Sequence, residues 1–148
     1  MSKDTLQQKL LKILLIGDSC IDKYHYGSVE RYSQEERPPR NVPIFNNSRT
    51  VEKFGMAYNV YENLKSVGFN VDFLTNKEII TKERYMIQDD SNSFVQLIRA
   101  DFENNVKNID IDLLKNIEYD KYACIIFSDY EKGFITHKAV SEVVKKFK

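Results

Sequence analysis

Two aspartates follow the most apolar stretch of the chain and could take part in chemistry. The segment Leu14–Tyr24 reads LLIGDSCIDKY, with Asp18 and Asp22 four residues apart and Ser19 between them. Carboxylates at a strand end can accept hydrogen bonds from sugar hydroxyl groups. A serine there could instead attack an acyl carbon if a histidine takes its proton. The aspartates could also simply cap loop turns.

The serine interpretation needs a histidine in the right place. A strand ending in Gly-Asp-Ser resembles the first block of the SGNH-type esterases, whose C-terminal histidine has an aspartate three residues ahead of it. The chain has two histidines, His25 and His137, and Phe134 occupies the place of that aspartate. A hydrolase that uses Ser19 is therefore kept only as a distant alternative.

The composition excludes several other classes. Lys and Arg number 22, as do Asp and Glu, so the formal net charge is zero and the broad positive field of a nucleic-acid-binding protein is not expected. The longest apolar run, Ile13–Ile16, is too short to span a membrane, and the N-terminus lacks a signal peptide. We expect a cytoplasmic protein that binds neither nucleic acid nor membrane. Two cysteines and two distant histidines show no metal-ligand spacing, so no metal site is predicted.

Apolar runs and helical spacings alternate along the chain and predict an α/β fold with a single domain over residues 1–148. Continuous apolar runs at Lys12–Gly17, in NVDFLT and in YACIIFSD predict buried strands with parallel pairing. Spacing and capping residues predict four helices, which start near Thr5, Ala57, Asp110 and Thr136.

Two polar, aromatic stretches do not fit this core and predict a separate β-layer. They cover approximately residues 23–50, where short strands are expected, and 79–103, where a hairpin turns at DDSNS. We expect these segments to form a lid. Asp18 and Asp129 each follow a buried strand directly, so a parallel sheet would bring both to the edge where α/β proteins bind ligands.

Four blocks, in order, resemble the PfkB (ribokinase-type) carbohydrate kinases, and most closely their heptose 7-phosphate kinase branch. They are GDSCIDKYHYG with ERYSQE, FGMAYNVYENLKSVGFNVDFLT, ITKERYMI with FVQLIRADFE, and IIFSDYEKGFIT. The resemblance covers nearly all of residues 11–148 and corresponds to the N-terminal half of those kinases. It implies an incomplete Rossmann-like core of the ribokinase type with a projecting β-sheet lid.

The resemblance also implies a binding site for a sugar or sugar phosphate. In the family, acids after the first strand bind sugar hydroxyls, and a glycine and an asparagine begin the next helix. Lid arginines can meet a phosphate through bidentate contacts. The corresponding substrate-binding residues here are Asp18, Asp22, Gly55, Asn59, Arg31, Arg84, Asp129 and Lys132. Lys132 could contact the phosphate or form a local ion pair with Asp129, and the ion pair is favoured.

The family's catalytic elements are not found in the sequence. These kinases transfer the γ-phosphoryl group of Mg-ATP and use the aspartate of a Gly-Ala-Gly-Asp motif as the base. The chain contains no such motif and no Walker-type loop, and Met56 replaces the second glycine of the family's Gly-Gly pair. We expect the substrate-binding and lid portion of a kinase, inactive alone, without a catalytic residue and without the elements that bind ATP and Mg.

The alternative from a different class is a non-catalytic module for sugar-phosphate binding or dimerisation. Tyr24, Tyr26, Ile44 and Phe45 are expected to form an exposed lid face through which two copies pair. The partners expected are therefore a sugar or sugar phosphate and a second copy of the chain, or a completing chain.

Overall fold

The computed structural model describes residues 12–34 and 41–147. The helix predicted near Thr5 lies outside these residues. The chain divides into two compact units. The core unit contains the described residues up to Cys20, Phe54–Ile80, and those from Glu103 onward, and the sheet unit contains Ile21–Lys53 and Thr81–Phe102.

The core unit is built on a parallel sheet of three strands, β1 (Lys12–Gly17), β4 (Asn70–Thr75) and β7 (Cys124–Ser128). Their order in the sheet is β4-β1-β7. Residues Ile13–Ile16 of the central strand are buried, and β1 pairs in parallel with both neighbours. The predicted strands and their parallel pairing are confirmed, because a strand covered on both faces must be apolar throughout.

Helices cover both faces of this sheet. They are α1 (Ala57–Ser66), α2 (Ile111–Lys115) and α3 (His137–Lys146). Leu14 and Ile16 point to the face covered by α2 and α3, whereas Ile13 and Leu15 pack against the face covered by α1. A 3₁₀ turn, Tyr119–Lys121, precedes β7.

Two of the predicted helix starts, those at Asp110 and Thr136, are confirmed by their caps. The side chain of Asp110 accepts a hydrogen bond from the Asp112 N–H, and that of Thr136 accepts one from the Ala139 N–H. These side chains satisfy donors that a helix start leaves without a partner.

The sheet unit has four strands, β2 (Ser19–Gln34), β3 (Asn41–Met56), β5 (Thr81–Gln88) and β6 (Phe94–Phe102). Their order in the sheet is β3-β2-β5-β6. The prediction of short strands in the first segment is wrong, because β2 and β3 each contain 16 residues and run across the boundary between the units. The predicted hairpin is confirmed, since β5 and β6 pair antiparallel.

The two units together confirm the predicted fold class. One is a parallel α/β core and the other is a β-sheet of polar and aromatic strands. Among the helices of residues 12–34 and 41–147, none is long and apolar enough to cross a membrane.

Candidate functional site

Asp18 lies at the carboxyl end of β1 and is completely buried. Its Oδ2 accepts hydrogen bonds from the N–H groups of Tyr130 at 2.8 Å and Lys132 at 3.4 Å. Its Oδ1 accepts one from the N–H of Phe134 at 3.2 Å. The carboxylate thus binds the loop that follows β7, which is the loop that contains the predicted residues Asp129 and Lys132.

The backbone of Asp18 fixes its position from two more directions. Its N–H donates to the Ser128 carbonyl at 3.2 Å, and its carbonyl accepts from the Ala57 N–H at 2.9 Å. Gly17 makes this packing possible, since a Cβ there would lie 2.5 Å from the Cβ of Ala57. The end of β1, the start of α1 and the loop after β7 therefore meet at one aspartate.

The loop after β7 owes its shape to two residues with left-handed backbone angles, Glu131 with φ 58° and Gly133 with φ 97°. The side chain of Asp129 accepts a hydrogen bond from the Glu131 N–H at 2.8 Å. As a result, the Glu131 N–H binds Asp129, whereas the N–H groups on either side of it, those of Tyr130 and Lys132, bind Asp18.

This loop borders a cavity of about 420 Å³ in the core unit. The cavity is lined by Ile80, Glu103, Asn104, Asn105, Val106, Glu131 and Lys132. The Lys132 Nζ lies 2.5 Å from Glu103 Oε1, so the local ion pair expected for Lys132 forms with a partner other than Asp129. Carboxylates and amides are groups that hydrogen-bond hydroxyls, and the lysine adds a cation.

The start of α1 carries an unusual residue. Met56 has φ 57° and ψ −132°, a region open mainly to glycine, and it is buried against Cys20 and Ile80. The backbone at this position therefore has a conformation that glycine adopts at little cost, although a methionine occupies it. Gly55 is buried beside it, whereas Asn59 is exposed on the first turn of α1.

A network at the end of β4 contains a residue missed by the sequence interpretation. The Asn76 side chain accepts a hydrogen bond from the Ser19 N–H at 2.7 Å and donates one to the Ser19 carbonyl at 3.2 Å. The Ser19 hydroxyl accepts from the Thr75 hydroxyl at 2.7 Å. None of these partners is a base, so the contacts do not favour the hydrolase. Asn76 directly follows a strand of the parallel sheet, as Asp18 does, and that rule could have found it.

In the sheet unit, Asp22 and Arg84 form an ion pair with an Nη1–Oδ1 distance of 2.5 Å. Both side chains are less than one-fifth exposed. The Arg84 guanidinium lies 5.2 Å from the centre of the Tyr24 ring, and the Lys53 Nζ lies 5.5 Å from it. Asp22 is the register partner of Lys82, and Tyr24 is that of Arg84, so these side chains lie on one face of the sheet, which we call the cationic face.

The opposite face carries His25, whose ring stacks on Tyr85 at 4.8 Å. His25 Nδ1 is 3.0 Å from the Thr50 hydroxyl, and its Nε2 lies 3.4 Å from Glu83 Oε2 without hydrogen-bond geometry. The hydrogen bond from the Tyr85 hydroxyl to Glu83 is the main cause of a raised pKa of Tyr85. This face therefore carries a cluster of ring contacts and hydrogen bonds around His25 and Tyr85, on the side of the sheet opposite the cationic face.

The structure brings some of the predicted site residues together within each unit and leaves others apart. Asp18 and Lys132 are in contact in the core unit, with Asp129 in the same loop, and Asp22 and Arg84 are in contact in the sheet unit. Arg31 is exposed near the end of β2. Substrate contact by each of these residues stays a prediction.

Comparisons with known proteins agree with the sequence resemblance. The chain is 28% identical over 176 aligned positions to the "Bifunctional protein HldE" of Haemophilus influenzae (strain PittEE), covering 98% of this chain and 35% of that protein. It is 27% identical to the protein of the same name from Campylobacter jejuni (strain RM1221), covering 97% of this chain and 35% of that protein. The chain thus spans about a third of the length of these relatives. No family model matches it.

Among solved structures, the chain is similar to a phosphofructokinase-like protein of Staphylococcus aureus at 10% identity, with a TM-score of 0.45, covering 90% of this chain and 48% of that one. It is also similar to a ribokinase of Thermotoga maritima at 11% identity, with a TM-score of 0.41, covering 93% and 50%. The resemblance to PfkB carbohydrate kinases, and to their heptose 7-phosphate kinase branch, is confirmed by the curated relatives.

Proposed function

We propose that the chain is the substrate-binding part of a carbohydrate kinase that transfers the γ-phosphate of ATP to a hydroxyl group of a sugar phosphate. The substrate class proposed is a heptose phosphate, on the basis of the resemblance. The proposed location is the cytoplasm, as expected from the sequence.

The observation that carries this proposal is the cavity beside the loop after β7. Carboxylates and amides line it together with Lys132, and the loop is fixed by a buried aspartate at the carboxyl edge of a parallel sheet. Ligands of α/β proteins bind at this edge. Acceptors and donors at several points suit a polyhydroxylated ligand, and an anionic group of the ligand can displace Glu103 from Lys132.

The cationic face of the sheet unit supports the phosphate part of the proposal. Asp22 holds Arg84 in place, and the Tyr24 ring supports its guanidinium. An arginine whose position is already fixed loses less conformational entropy when it binds a phosphate. We therefore propose Arg84 as a phosphate contact and Asp22 as the group that orients it and accepts a sugar hydroxyl.

ATP and Mg²⁺ are the proposed co-substrate and metal of the reaction. They would supply the phosphoryl group and neutralise its charge. The sequence has no Gly-Ala-Gly-Asp motif, so none of its aspartates is assigned as the base. We propose that this chain by itself binds the sugar phosphate without turning it over.

Calorimetry with a heptose 7-phosphate, the unphosphorylated heptose and ATP tests the proposal. We expect the phosphorylated sugar to bind, the free sugar to bind more weakly, and no ADP to form from ATP and Mg²⁺. Failure of the sugar phosphate to bind would refute the binding role, and ADP release above a blank would refute the inactivity of the chain alone.

Two variants of lysines in ion pairs make this test specific. Lys132→Met should weaken binding of the sugar phosphate about tenfold, as expected for loss of one charge-assisted contact. The matched control is Lys121→Met, since Lys121 also forms an ion pair in the core unit but lies on the surface beside Glu118. Equal effects of both variants would contradict a specific role of Lys132.

A second candidate function, self-association through the sheet unit, is favoured by strand β6. It is an edge strand of its sheet and exposes five large apolar side chains: Phe94, Val95, Leu97, Ile98 and Phe102. The residues expected for this role, Tyr24, Tyr26, Ile44 and Phe45, are only partly exposed. We propose β6 instead as the surface that pairs with a second copy.

Sedimentation of Ile98→Lys tests the pairing, with Val67→Lys as the control. Both residues are more than half exposed, but Val67 follows α1 in the core unit. We expect the unmodified chain and Val67→Lys to dimerise and Ile98→Lys to remain monomeric. A monomeric unmodified chain at micromolar concentration would refute the self-association.

A further inference from the structure

The loop after β7 has the form of an anion-binding site whose ligand belongs to the chain. The amides of Tyr130, Lys132 and Phe134 all donate to the Asp18 carboxylate, at distances of 2.8 to 3.4 Å. Backbone amides that converge in this way form a concave nest for anions. The left-handed angles at Glu131 and Gly133 turn the alternate amides toward the same side.

The backbone of this loop also makes hydrogen bonds that do not involve the Asp18 side chain. Asp129 binds the Glu131 N–H, and Asn108 Nδ2 donates to the Gly133 carbonyl at 2.5 Å. The Ile109 N–H donates to the Phe134 carbonyl at 2.8 Å. The loop can therefore keep its shape in part when the carboxylate is removed.

We propose that residues 130–134 form an anion-binding nest, that the Asp18 carboxylate is its built-in ligand, and that Asp18 thereby positions Lys132 at the cavity. Asp18 acts through the loop and need not touch a sugar. Lys132 is the connecting residue, because its N–H binds Asp18 while its Nζ reaches Glu103 on the cavity wall. This inference does not depend on the proposed kinase function.

Shortening the side chain should convert the nest into a binding site for a small carboxylate. Asp18→Ala removes the carboxylate and leaves a buried space with three amide donors. Formate carries two oxygens and fits where the carboxylate was, whereas acetate carries an additional methyl group that would meet the alanine Cβ. We expect the melting temperature of Asp18→Ala to fall by about 10 °C, since buried donors lose a charged acceptor.

The experiment measures thermal unfolding in sodium formate, sodium acetate and sodium chloride at equal ionic strength. Formate should restore at least half of the lost melting temperature with saturable dependence, and acetate and chloride should not. Asp18→Asn is the matched variant, because its amide fills the space and should gain nothing from formate. Leu15→Ala controls for general salt stabilisation of a weakened core.

Hydrogen exchange of individual amides distinguishes the nest from a general contribution of Asp18 to stability, since general destabilisation would accelerate exchange in the loop and in α3 alike. In Asp18→Ala, the amides of Tyr130, Lys132 and Phe134 should exchange at least roughly tenfold faster relative to the α3 amide of Val140, and formate should reverse this change. Equal acceleration at Val140, or an equal gain in formate by Leu15→Ala, would overturn the proposal.

A variant that fails to fold still gives an answer. Asp18→Ala is then refolded in formate and in chloride. Recovery in formate alone supports the nest, and equal recovery or equal failure in both salts overturns it.

Discussion

The central strand β1 of the core unit buries four consecutive apolar residues, whereas β5 of the sheet unit leaves every residue from Thr81 to Ile87 partly exposed. Apolar packing on both faces holds β1 between its neighbours. In the sheet unit, the side-chain contacts between strands include ion pairs and ring contacts, such as Asp22 with Arg84 and Tyr26 with Phe94. The comparison shows that one chain stabilises its two sheets by different physical means.

Leu15→Ala should have the largest effect in this comparison. Leu15 is fully buried, so its truncation should lower the free energy of unfolding by about 2–5 kcal/mol through lost burial and a residual cavity. At a concentration where the chain is monomeric, Leu97→Ala in the sheet unit should cost under about 0.5 kcal/mol, since Leu97 is then an exposed side chain of β6. Urea unfolding of both variants measures the difference, and similar losses would contradict the assigned difference in packing.

Arg84→Met tests whether ionic contacts carry the sheet unit. Its loss leaves the Asp22 carboxylate partly buried without its guanidinium partner, and we expect a cost of about 1–3 kcal/mol. Lys121→Met removes a surface ion pair and should change stability much less. The double variant Asp22→Asn with Arg84→Met should cost less than the sum of the single changes, and additive costs in urea unfolding would argue against coupling.

A smaller effect on stability is expected from Met56, a residue of the core unit with a left-handed backbone angle that can be compared with Asn92 of the sheet unit. Glycine usually destabilises a protein relative to alanine, but at φ 57° it relieves strain that alanine retains. We therefore expect Met56→Gly to be more stable than Met56→Ala by about 1–2 kcal/mol. In the sheet unit, Asn92 has φ 64° in an exposed turn, and Asn92→Gly should change stability by less than that. If Met56→Ala is the more stable variant in thermal unfolding, the strained conformation is not maintained.

The smallest effect should come from Asp89 in the turn between β5 and β6. A hydrogen bond from the Ser91 hydroxyl, followed by one from the Ser93 N–H, lowers the pKa of Asp89 in the folded chain. The ionised form is thus favoured by folding, so its contribution is present above the unfolded pKa of about 3.9 and is lost as the pH falls through the lower folded value. After correction for the intrinsic exchange rate, which itself falls with pH, the protection of the Ser91 and Ser93 amides should decrease as acid is added, whereas Asp89→Asn should show no such acid-dependent step.

Asp18 and Asp89 show how far a residue type alone can be interpreted. Both are aspartates that accept backbone amides, and the sequence singled out both, one as a candidate ligand and one as a turn residue. The turn of Asp89 is local, because its partners lie within four residues. The partners of Asp18 are more than a hundred positions away in the chain, so no local pattern could identify them.

The sequence by itself determined the elements whose signals are local. Continuous apolar runs specify strands buried on both faces, and caps such as Asp110 and Thr136 specify where helices start. Only the tertiary structure decided the length of β2 and β3, the pairing of Lys132 with Glu103 and the role of Asn76. Each of these depends on neighbours that are distant in the chain, and burial and hydrogen-bond geometry select them only once the strands are placed side by side.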